Sequence, residues 1–355
     1  MRFIGSKARL LGEIELAFDQ LCGPATTTVA DIFCGMGAVS ANFKRLGHRV
    51  IANDNLQFCA TVAEAVLLNN VIPKFENLRV GTIDRDRKSL FDDANGYLSA
   101  LNFLNSLVPI QGFMYQNYSP EGTANLPTPR QYFTAENAAR IDAIREKIAE
   151  WDACGLLSRG ERALLLTDLI RATNRVANSA GTYGCFLKQW ETRALRTLQL
   201  TPSRILISPH SHTVHNEDAL ALATTMVADV AYLDPPYTWR HYGAYYHILE
   251  TIARWDRPRI SGKTGLRPWD DSRSPFCDRE NAKGALKELV RLLNVRFILM
   301  SYNSEGLISH EEILSILADK GSVTCVDIDF RRYKSNGGGN GANQVKERLY
   351  LVKVN

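Results

Sequence analysis

The four residues from Asp234 to Tyr237, with the sequence DPPY, place a carboxylate, two prolines and an aromatic ring directly after the apolar run VAYL. One reaction that such a group of residues could serve is activation of the exocyclic amine of a nucleobase. This amine is a poor nucleophile because its lone pair is delocalised into the ring. Two acceptors aimed at its N–H bonds would oppose that delocalisation, and the Asp234 carboxylate and the Pro235 carbonyl could supply them. The Pro235–Pro236 pair fixes φ and keeps that carbonyl in place. With Tyr237 stacked on the base, the segment predicts catalysis by positioning and electrostatics, without a metal or a covalent intermediate.

A second group of residues, DIFCGMGAVS at 31–40, is typical of a turn that approaches a nucleotide. Gly35 and Gly37 follow a predicted strand and precede a predicted helix, where a missing Cβ lets the backbone come close to a ligand. Asp54 ends the next predicted strand, at the place from which an acid reaches ribose hydroxyls. Ser40 stands where a G-x-G-x-x-G motif has its third glycine. Dinucleotide-binding and S-adenosylmethionine-binding domains share this turn, so it leaves both open.

The elements that must position these residues alternate between strand and helix over the first 70 residues. The runs TTVADIFCG and HRVIANDN read as strands, and AVSANFKRLG and FCATVAEAVLLNN read as helices. This alternation indicates a parallel sheet with covering helices. Strand-like runs return from residue 204 onward in RILIS, DVAYLD, RFILMSYN, VTCVDIDF and ERLYLVKV.

The intervening region lacks clear strands and carries helix start signals. Thr134 precedes one amphipathic run, and Ser158 with Glu161 forms an S-x-x-E capping box before another. We therefore predict an α/β fold, a Rossmann-like sheet with an inserted, mostly helical domain. The sheet domain is discontinuous, at 1–70 and 205–355, and the insertion covers 71–204.

The composition is typical of a globular protein without a membrane span. The chain has 355 residues, a net charge of +4 and a pI near 8.6, which permits an anionic partner without demanding one. Its seven cysteines form no CxxC pair, so neither a zinc site nor a disulfide framework is expected. The first residues do not form a signal peptide, and no run of about 18 apolar residues exists. We expect a cytoplasmic protein.

Taken together and in order, the motifs resemble those of the D12 class of N6-adenine DNA methyltransferases, which includes the Dam-type enzymes. They are FIGSKARLL, DIFCGMG, NDN, HNEDA, DPPY, SYN and a closing RRYKSNGGG…QVKERL. The resemblance implies transfer of a methyl group from S-adenosylmethionine to adenine N6, with Asp234, Pro235, Pro236 and Tyr237 as catalytic residues. It further implies that the cofactor is bound by Phe3, Lys7, Asp31, Phe33, Gly35, Gly37, Asp54, Asp218 and Asp234.

The insertion departs from the Dam-type pattern. Dam-type enzymes carry an F-N-x-P-F-G stretch there, whereas this chain has GTYGCFLKQW at 181–190. That stretch is similar to the one found in a branch of the class that is associated with restriction–modification systems. The implied partners are double-stranded DNA, from which the target adenine is flipped, and a cognate restriction endonuclease. The chain is expected to act as a monomer. The predicted DNA-contacting residues are Tyr183, Lys188, Arg240 and Asn303.

Four alternatives remain at this stage. An N4-cytosine methyltransferase also acts on an exocyclic amine, although such enzymes usually have Ser in place of Asp234. An RNA adenine methyltransferase is the second. The third is a nicotinamide-dependent oxidoreductase that uses the same glycine turn and leaves DPPY without a purpose. The fourth is a non-catalytic DNA-binding module.

Overall fold

The computed structural model describes residues 3–23, 28–81, 96–331 and 344–355. The chain forms two compact units. The sheet unit comprises Gly5–Ala63, Ser208–Tyr242 and Asp270–Asn355, and the helical unit comprises Met1–Ile4, Glu64–Ile207 and Gly243–Trp269. Residues 332–343, which carry most of the closing motif, lie outside the described residues. Among the described residues, no helix is long and apolar enough to cross a membrane.

The sheet unit contains one mixed seven-stranded sheet. Its strands lie in the order β3-β2-β1-β4-β5-β7-β6. All neighbours from β3 to β5 are parallel, and β7 is antiparallel to both β5 and β6. The strands are β1 (Thr28–Asp31), β2 (Arg49–Asn53), β3 (Thr213–His215), β4 (Val230–Leu233), β5 (Phe297–Asn303), β6 (Gly321–Arg331) and β7 (Gln344–Val354). This architecture confirms the predicted α/β class.

Helices cover both faces of this sheet. The helices of the sheet unit are α1 (Leu11–Cys22), α2 (Ala38–Arg45), α9 (Ala219–Ala223), α12 (Ala282–Leu292) and α13 (His310–Ala318), and α3 (Gln57–Leu67) begins in it. Apolar residues of α9, α12 and α13 pack with alternate strand residues such as Leu233 and Met300 in one core. On the other face α1 and α2 meet through Phe18 and Phe43, whose ring centroids are 4.8 Å apart.

Because side chains alternate along a strand, the residues between those core positions point to the face of α1 and α2. Near the carboxyl ends of the parallel strands these intervening positions are polar. They are Asp31 in β1, Tyr232 in β4, Ser301 and Asn303 in β5, and Glu347 in the antiparallel β7. Asp234, which follows β4, continues the same alternation. The fold therefore collects polar groups at one end of one sheet face.

The helical unit consists of α4 (Glu76–Gly81), α5 (Gly96–Asn105), α6 (Phe113–Tyr118), α7 (Ala135–Ala153), α8 (Arg159–Val176) and α11 (His247–Arg254). The short α10 (Tyr242–Tyr245) begins at its boundary. The predicted caps of α7 and α8 are confirmed, because Thr134 accepts a bond from the Asn137 N–H and Ser158 with Glu161 forms a complete capping box. Between residues 71 and 204, the regular elements that the structure describes are helices.

Two features differ from the expectations for the chain's organisation. The run Arg204–Ser208 forms no strand, and the shorter β3 takes the edge position beside β2 instead. Residues 243–269 group with the helical unit, because buried donors bind their carbonyl groups. Arg145 donates to Ile252, and Arg130 donates to Gly262 and Lys263. Which unit performs recognition and which performs chemistry stays a prediction.

Candidate active site

Strands β1 and β4 lie side by side, and the chain departs from them in opposite directions along the sheet. Such a reversal of strand order opens a crevice at the carboxyl ends of an open α/β sheet, where ligands bind. Asp31 ends β1 directly beside Tyr232 of β4, and Asp234 follows two residues later. The predicted glycine turn and the DPPY segment therefore meet at this crevice within the sheet unit.

Lys7 lies between the half-buried carboxylate of Asp234 and the buried carboxylate of Glu347 at this end of the sheet. Its Nζ is 2.6 Å from Asp234 Oδ1 and 3.1 Å from Glu347 Oε1. Lys7 is positioned by the short 3₁₀ helix Lys7–Arg9 that precedes α1. The side chains of Lys7 and Glu347 are only 5% and 4% exposed, so their ion pair is shielded from solvent, while the side chain of Asp234 is 15% exposed. The structure thus pairs Lys7 with the DPPY carboxylate.

The electrostatic balance sets the protonation of Asp234. Burial raises the pKa of its carboxyl to about 6, Lys7 opposes that rise, and the negative charge of Glu347 adds to it. Burial alone would lower the pKa of Lys7, but Asp234 and Glu347 together raise it above its usual value. Lys7 is therefore a cation throughout the physiological range. Asp234 changes from a carboxylic acid to a carboxylate acceptor as the pH rises through about 6.

Tyr237 is oriented by contacts on several sides. Its carbonyl accepts a bond from the Leu307 N–H at 3.1 Å, and its ring meets Tyr302 edge to face with centroids 6.2 Å apart. Lys7 Nζ lies 5.5 Å from the Tyr237 ring centroid, within cation–π range. Gly5, at φ +79, lies so close that an added Cβ would be 3.7 Å from the Tyr237 hydroxyl. The ring of the DPPY motif is thus positioned by its surroundings.

The glycine turn adopts a conformation that requires its glycines. Gly35 and Gly37 have φ values of 50° and 70°, in the left-handed region that other residues rarely adopt. Asp54 stabilises the turn, because its Oδ2 accepts from the Gly35 N–H at 2.9 Å and its Oδ1 accepts from the Leu56 N–H at 3.0 Å. The backbone of the turn is therefore fixed from β2, the neighbouring strand.

Asp31 carries a buried oxygen that finds no donor among the described residues. Ser40 Oγ donates to its Oδ2 at 2.6 Å, while Oδ1 has no partner there. Burial raises the pKa of this carboxyl to about 7, against the opposing effect of the Ser40 bond. A buried oxygen without a partner beside a left-handed glycine turn is the setting in which a polar ligand supplies the missing bond.

The other predicted cofactor residues fall in different settings. Phe33 packs edge to face on Phe276, with ring centroids 5.1 Å apart. Asp218 is exposed and caps α9, accepting from two backbone N–H groups through Oδ1. Phe3 belongs to the helical unit, where its ring stacks on Tyr246 at 4.7 Å. Their contact with a cofactor stays a prediction.

The four predicted DNA-contacting residues also differ in exposure. Lys188 and Arg240 are exposed, and the Arg240 guanidinium lies 6.0 Å from the Trp239 ring centroid. Tyr183 is fully buried, and its carbonyl accepts a bond from Tyr132. The amide of Asn303 donates to Glu347 Oε2 at 3.2 Å. The structure therefore places the two cations at the surface, Tyr183 inside the helical unit and Asn303 at a half-buried position of the sheet unit.

Glu347 is a charged member of this polar group to which sequence reasoning assigned no role. The run ERLYLVKV was interpreted as a terminal strand, and Glu347 was noted only within a closing motif. Its register opposite Asn303 brings it to the carboxyl end of β5, although it lies near the start of β7. A glutamate that begins an otherwise apolar alternation was the available signal, but only the antiparallel pairing shows which site it reaches.

Comparison with known proteins adds an independent observation. Residues 3–316 match the family model of the D12 class N6 adenine-specific DNA methyltransferase. Type II methyltransferase M.FokI of Planomicrobium okeanokoites is 38% identical over 99% of this chain and 52% of its own length. Modification methylase StsI of Streptococcus sanguinis is 33% identical over the same shares. Type II methyltransferase M.NlaIII of Neisseria lactamica is 33% identical over 99% of both chains.

This chain thus spans about half the length of M.FokI and of modification methylase StsI, and nearly all of M.NlaIII. The family match covers the glycine turn, the DPPY segment and the whole helical unit from Phe3 onward. The chain belongs to the D12 class of N6 adenine-specific DNA methyltransferases.

Proposed function

We propose that this chain transfers a methyl group from S-adenosylmethionine to N6 of an adenine in double-stranded DNA. The observation that carries the proposal is the Asp234 carboxylate, half-buried and bonded to Lys7 at the crevice beside the glycine turn. Family membership supports the same reaction. The D12 relatives named as Type II methyltransferases or modification methylases favour a role in restriction–modification.

The residues around the glycine turn fit S-adenosylmethionine. Asp31 Oδ1, which has no partner within the described part of the chain, the left-handed Gly35 and Gly37, and Asp54 at the end of β2 form the polar cradle that an adenosyl group requires. When bound there, S-adenosylmethionine supplies an electrophilic methyl group. Phe33 and Asp218 would extend the same site. Lys7 is committed to Asp234 and Glu347, so a contact with the cofactor carboxylate would require it to share its third N–H.

The chain's own groups would prepare the adenine amine. Lys7 bonds Asp234 Oδ1, which leaves Oδ2 to accept one amine N–H, and the Pro235 carbonyl accepts the other. Both acceptors draw the nitrogen towards tetrahedral geometry and so expose its lone pair. After transfer the amine carries a surplus proton, and a carboxylate whose pKa lies near 6 can receive it. Tyr237 would stack on the base during these steps.

An adenine amine engaged in base pairing cannot reach this carboxylate, so we propose that the target nucleotide leaves the duplex. The exposed Lys188 and Arg240 suit phosphate contacts, which position DNA without reading its sequence. Burial of Tyr183 supports a structural role within the helical unit better than a direct DNA contact. We assign target recognition to the helical unit, and we propose a monomer in the cytoplasm that shares its recognition sequence with a cognate endonuclease.

Identification of the methylated nucleoside tests this function. Purified protein is incubated with unmethylated genomic DNA and methyl-labelled S-adenosylmethionine, and the product is digested and analysed by mass. We expect N6-methyldeoxyadenosine. Label in N4-methyldeoxycytidine would favour the N4-cytosine alternative, and label only in an RNA sample would favour the RNA enzyme. Binding of NAD, or tight DNA binding without any transfer, would support the remaining alternatives.

Replacing Asp54 tests the assignment of the cofactor site. In Asp54→Ala the N–H groups of Gly35 and Leu56 lose their acceptor, so the turn loosens and the ribose contact is lost. We expect S-adenosylmethionine to bind about 10- to 100-fold more weakly by calorimetry, since each lost bond to a charged group is worth about 1.5–3 kcal/mol. Asp319→Asn, which alters an exposed carboxylate, is the matched control. Unchanged affinity in Asp54→Ala would place the cofactor elsewhere.

A further inference from the structure

Glu347 is a buried carboxylate that the proposed transfer does not use directly. Its residue is 3% exposed. Ser301 Oγ donates to its Oε1 at 2.6 Å, and Asn303 Nδ2 donates to its Oε2 at 3.2 Å. A charge at this depth is costly unless it is paired and hydrogen-bonded, and here both oxygens are bonded to side chains of the adjacent strand β5. The orientation of Glu347 is therefore fixed.

The fixed carboxylate of Glu347 restricts the position of the Lys7 side chain. An ammonium group has three N–H donors, and Lys7 directs one to Asp234 at 2.6 Å and forms an ion pair with Glu347 at 3.1 Å. Without Glu347, the flexible Lys7 side chain would pair with Asp234 alone, and its position would be less restricted. With Glu347, the ammonium is held by a residue of β7 in the rigid sheet. This second ion pair fixes the position from which Lys7 contacts Asp234 Oδ1.

We infer that Glu347 is a positioning residue for the proposed adenine methylation: it fixes Lys7, and Lys7 fixes the Asp234 carboxylate that accepts the amine. The inference rests on the proposed function. Glu347 acts through Lys7 and does not touch the substrate. The carboxylate of Glu347 also adds negative charge near Asp234, so its removal has a defined electrostatic sign.

The variant Glu347→Gln tests this role through the pH dependence of single-turnover methylation. The wild-type rate should rise with pH through a midpoint near 6, as Asp234 ionises. Glu347 raises the pKa of Asp234, so its neutralisation should move the midpoint below the wild-type value. The plateau rate at high pH should fall by up to about 100-fold, because small displacements of a catalytic group have effects of that size. The midpoint does not depend on the fraction of protein that is folded.

Among the residues that the structure describes, the groups that interact electrostatically with Asp234 are Lys7, Glu347, Asp31, Tyr232 and Tyr237. Burial raises the pKa of both tyrosines, which stay neutral over the tested range. Burial brings the pKa of Asp31 to about 7, so Asp31 titrates close to pH 6 in the wild type and in every variant. Its contribution to the pH–rate profile is therefore common to all of them and drops out of the comparison. The matched control is Glu288→Gln, which removes the same charge from an exposed pair with Arg291 and should shift neither midpoint nor plateau.

A double-mutant cycle with Lys7→Met shows whether Glu347 acts through Lys7. Once Lys7 is absent there is no ammonium to position, so Glu347→Gln should then lower the plateau rate little further. The variant Glu347→Asp keeps the charge and shortens the side chain, so its midpoint should stay near the wild-type value while its plateau falls. This variant also carries the test if Glu347→Gln does not fold.

An unshifted midpoint in Glu347→Gln, plateau losses that add in the cycle, or an unchanged plateau in Glu347→Asp would each overturn the inference. These outcomes are separate from failure of the proposed function. A wild-type protein that forms no N6-methyldeoxyadenosine contradicts the function itself. If the wild type is active but the Glu347 variants show the same pH–rate profile, only the positioning role is contradicted.

Discussion

Asp234→Ala should reduce single-turnover methylation of DNA by about 10³-fold or more, because it removes the acceptor and the proton-receiving group at once. Asp234→Asn retains an amide oxygen that can accept one N–H, so it should keep more activity than the alanine variant. It cannot receive a proton, so its rate should lose the rise near pH 6 that the wild type shows. Rapid-quench assays across pH, with saturating cofactor and DNA, measure both effects.

The fold should survive these substitutions at Asp234. Lys7 keeps Glu347 as a partner when Asp234 is replaced, so no charge is left alone in the interior. Asp319→Asn, on an exposed carboxylate, is the control and should leave the rate unchanged. An Asp234→Ala protein that methylates at the wild-type rate would remove the catalytic role from the DPPY carboxylate.

Lys7→Met should lower both activity and stability. The activity of the variant should be favoured by high pH, whereas its folded state should be more stable at low pH. The substitution leaves Asp234 and Glu347 as two neighbouring, largely shielded carboxylates with no ion-pair partner among the described residues. Breaking a buried pair in this way costs about 3–5 kcal/mol when both groups are charged. Lys7 lowers the pKa of Asp234, so its removal should move the midpoint of the activity profile above 6. This shift is opposite in sign to the one expected for Glu347→Gln.

The stability change of Lys7→Met should grow as the pH rises. In the variant the pKa of the Asp234 carboxyl lies above that of the unfolded chain, so the folded state binds more protons. The stability of the variant is then retained at low pH and lost as the pH rises through the folded pKa of Asp234. Denaturant unfolding at pH 5 and pH 8 measures the difference. Lys283→Met, on an exposed pair with Glu312, is the control. A loss of stability that is equal at both pH values would contradict the shared ion pair.

The sequence contained enough information to predict the glycine turn and the DPPY carboxylate as one site. Gly35 and Asp54 come from consecutive β-strand ends, and Asp234 follows an unmistakably apolar strand, so parallel pairing alone brings them to one edge. The helix caps at Thr134 and Ser158 were readable because they depend on contacts three residues apart.

Other features depend on contacts between distant segments, which local patterns do not reveal. The assignment of Lys7 to the cofactor from its motif stays a prediction, and the motif did not reveal that Lys7 pairs with two carboxylates 227 and 340 residues away along the chain. The edge strand was misplaced because RILIS is as apolar as a strand, while the actual β3 is only three residues long. Residues 243–269 were grouped with the sheet because the carbonyl groups that tie them to Arg130 and Arg145 leave no trace in side-chain patterns.

The most direct test of the account is a crystal structure of the protein with a cognate DNA duplex and a non-reactive analogue of S-adenosylmethionine. The account predicts an everted adenine whose N6 lies about 2.6–3.2 Å from both Asp234 Oδ2 and the Pro235 carbonyl, with Tyr237 stacked on the ring. An everted base whose amine points away from Asp234, or a target base that stays paired in the duplex, would contradict it.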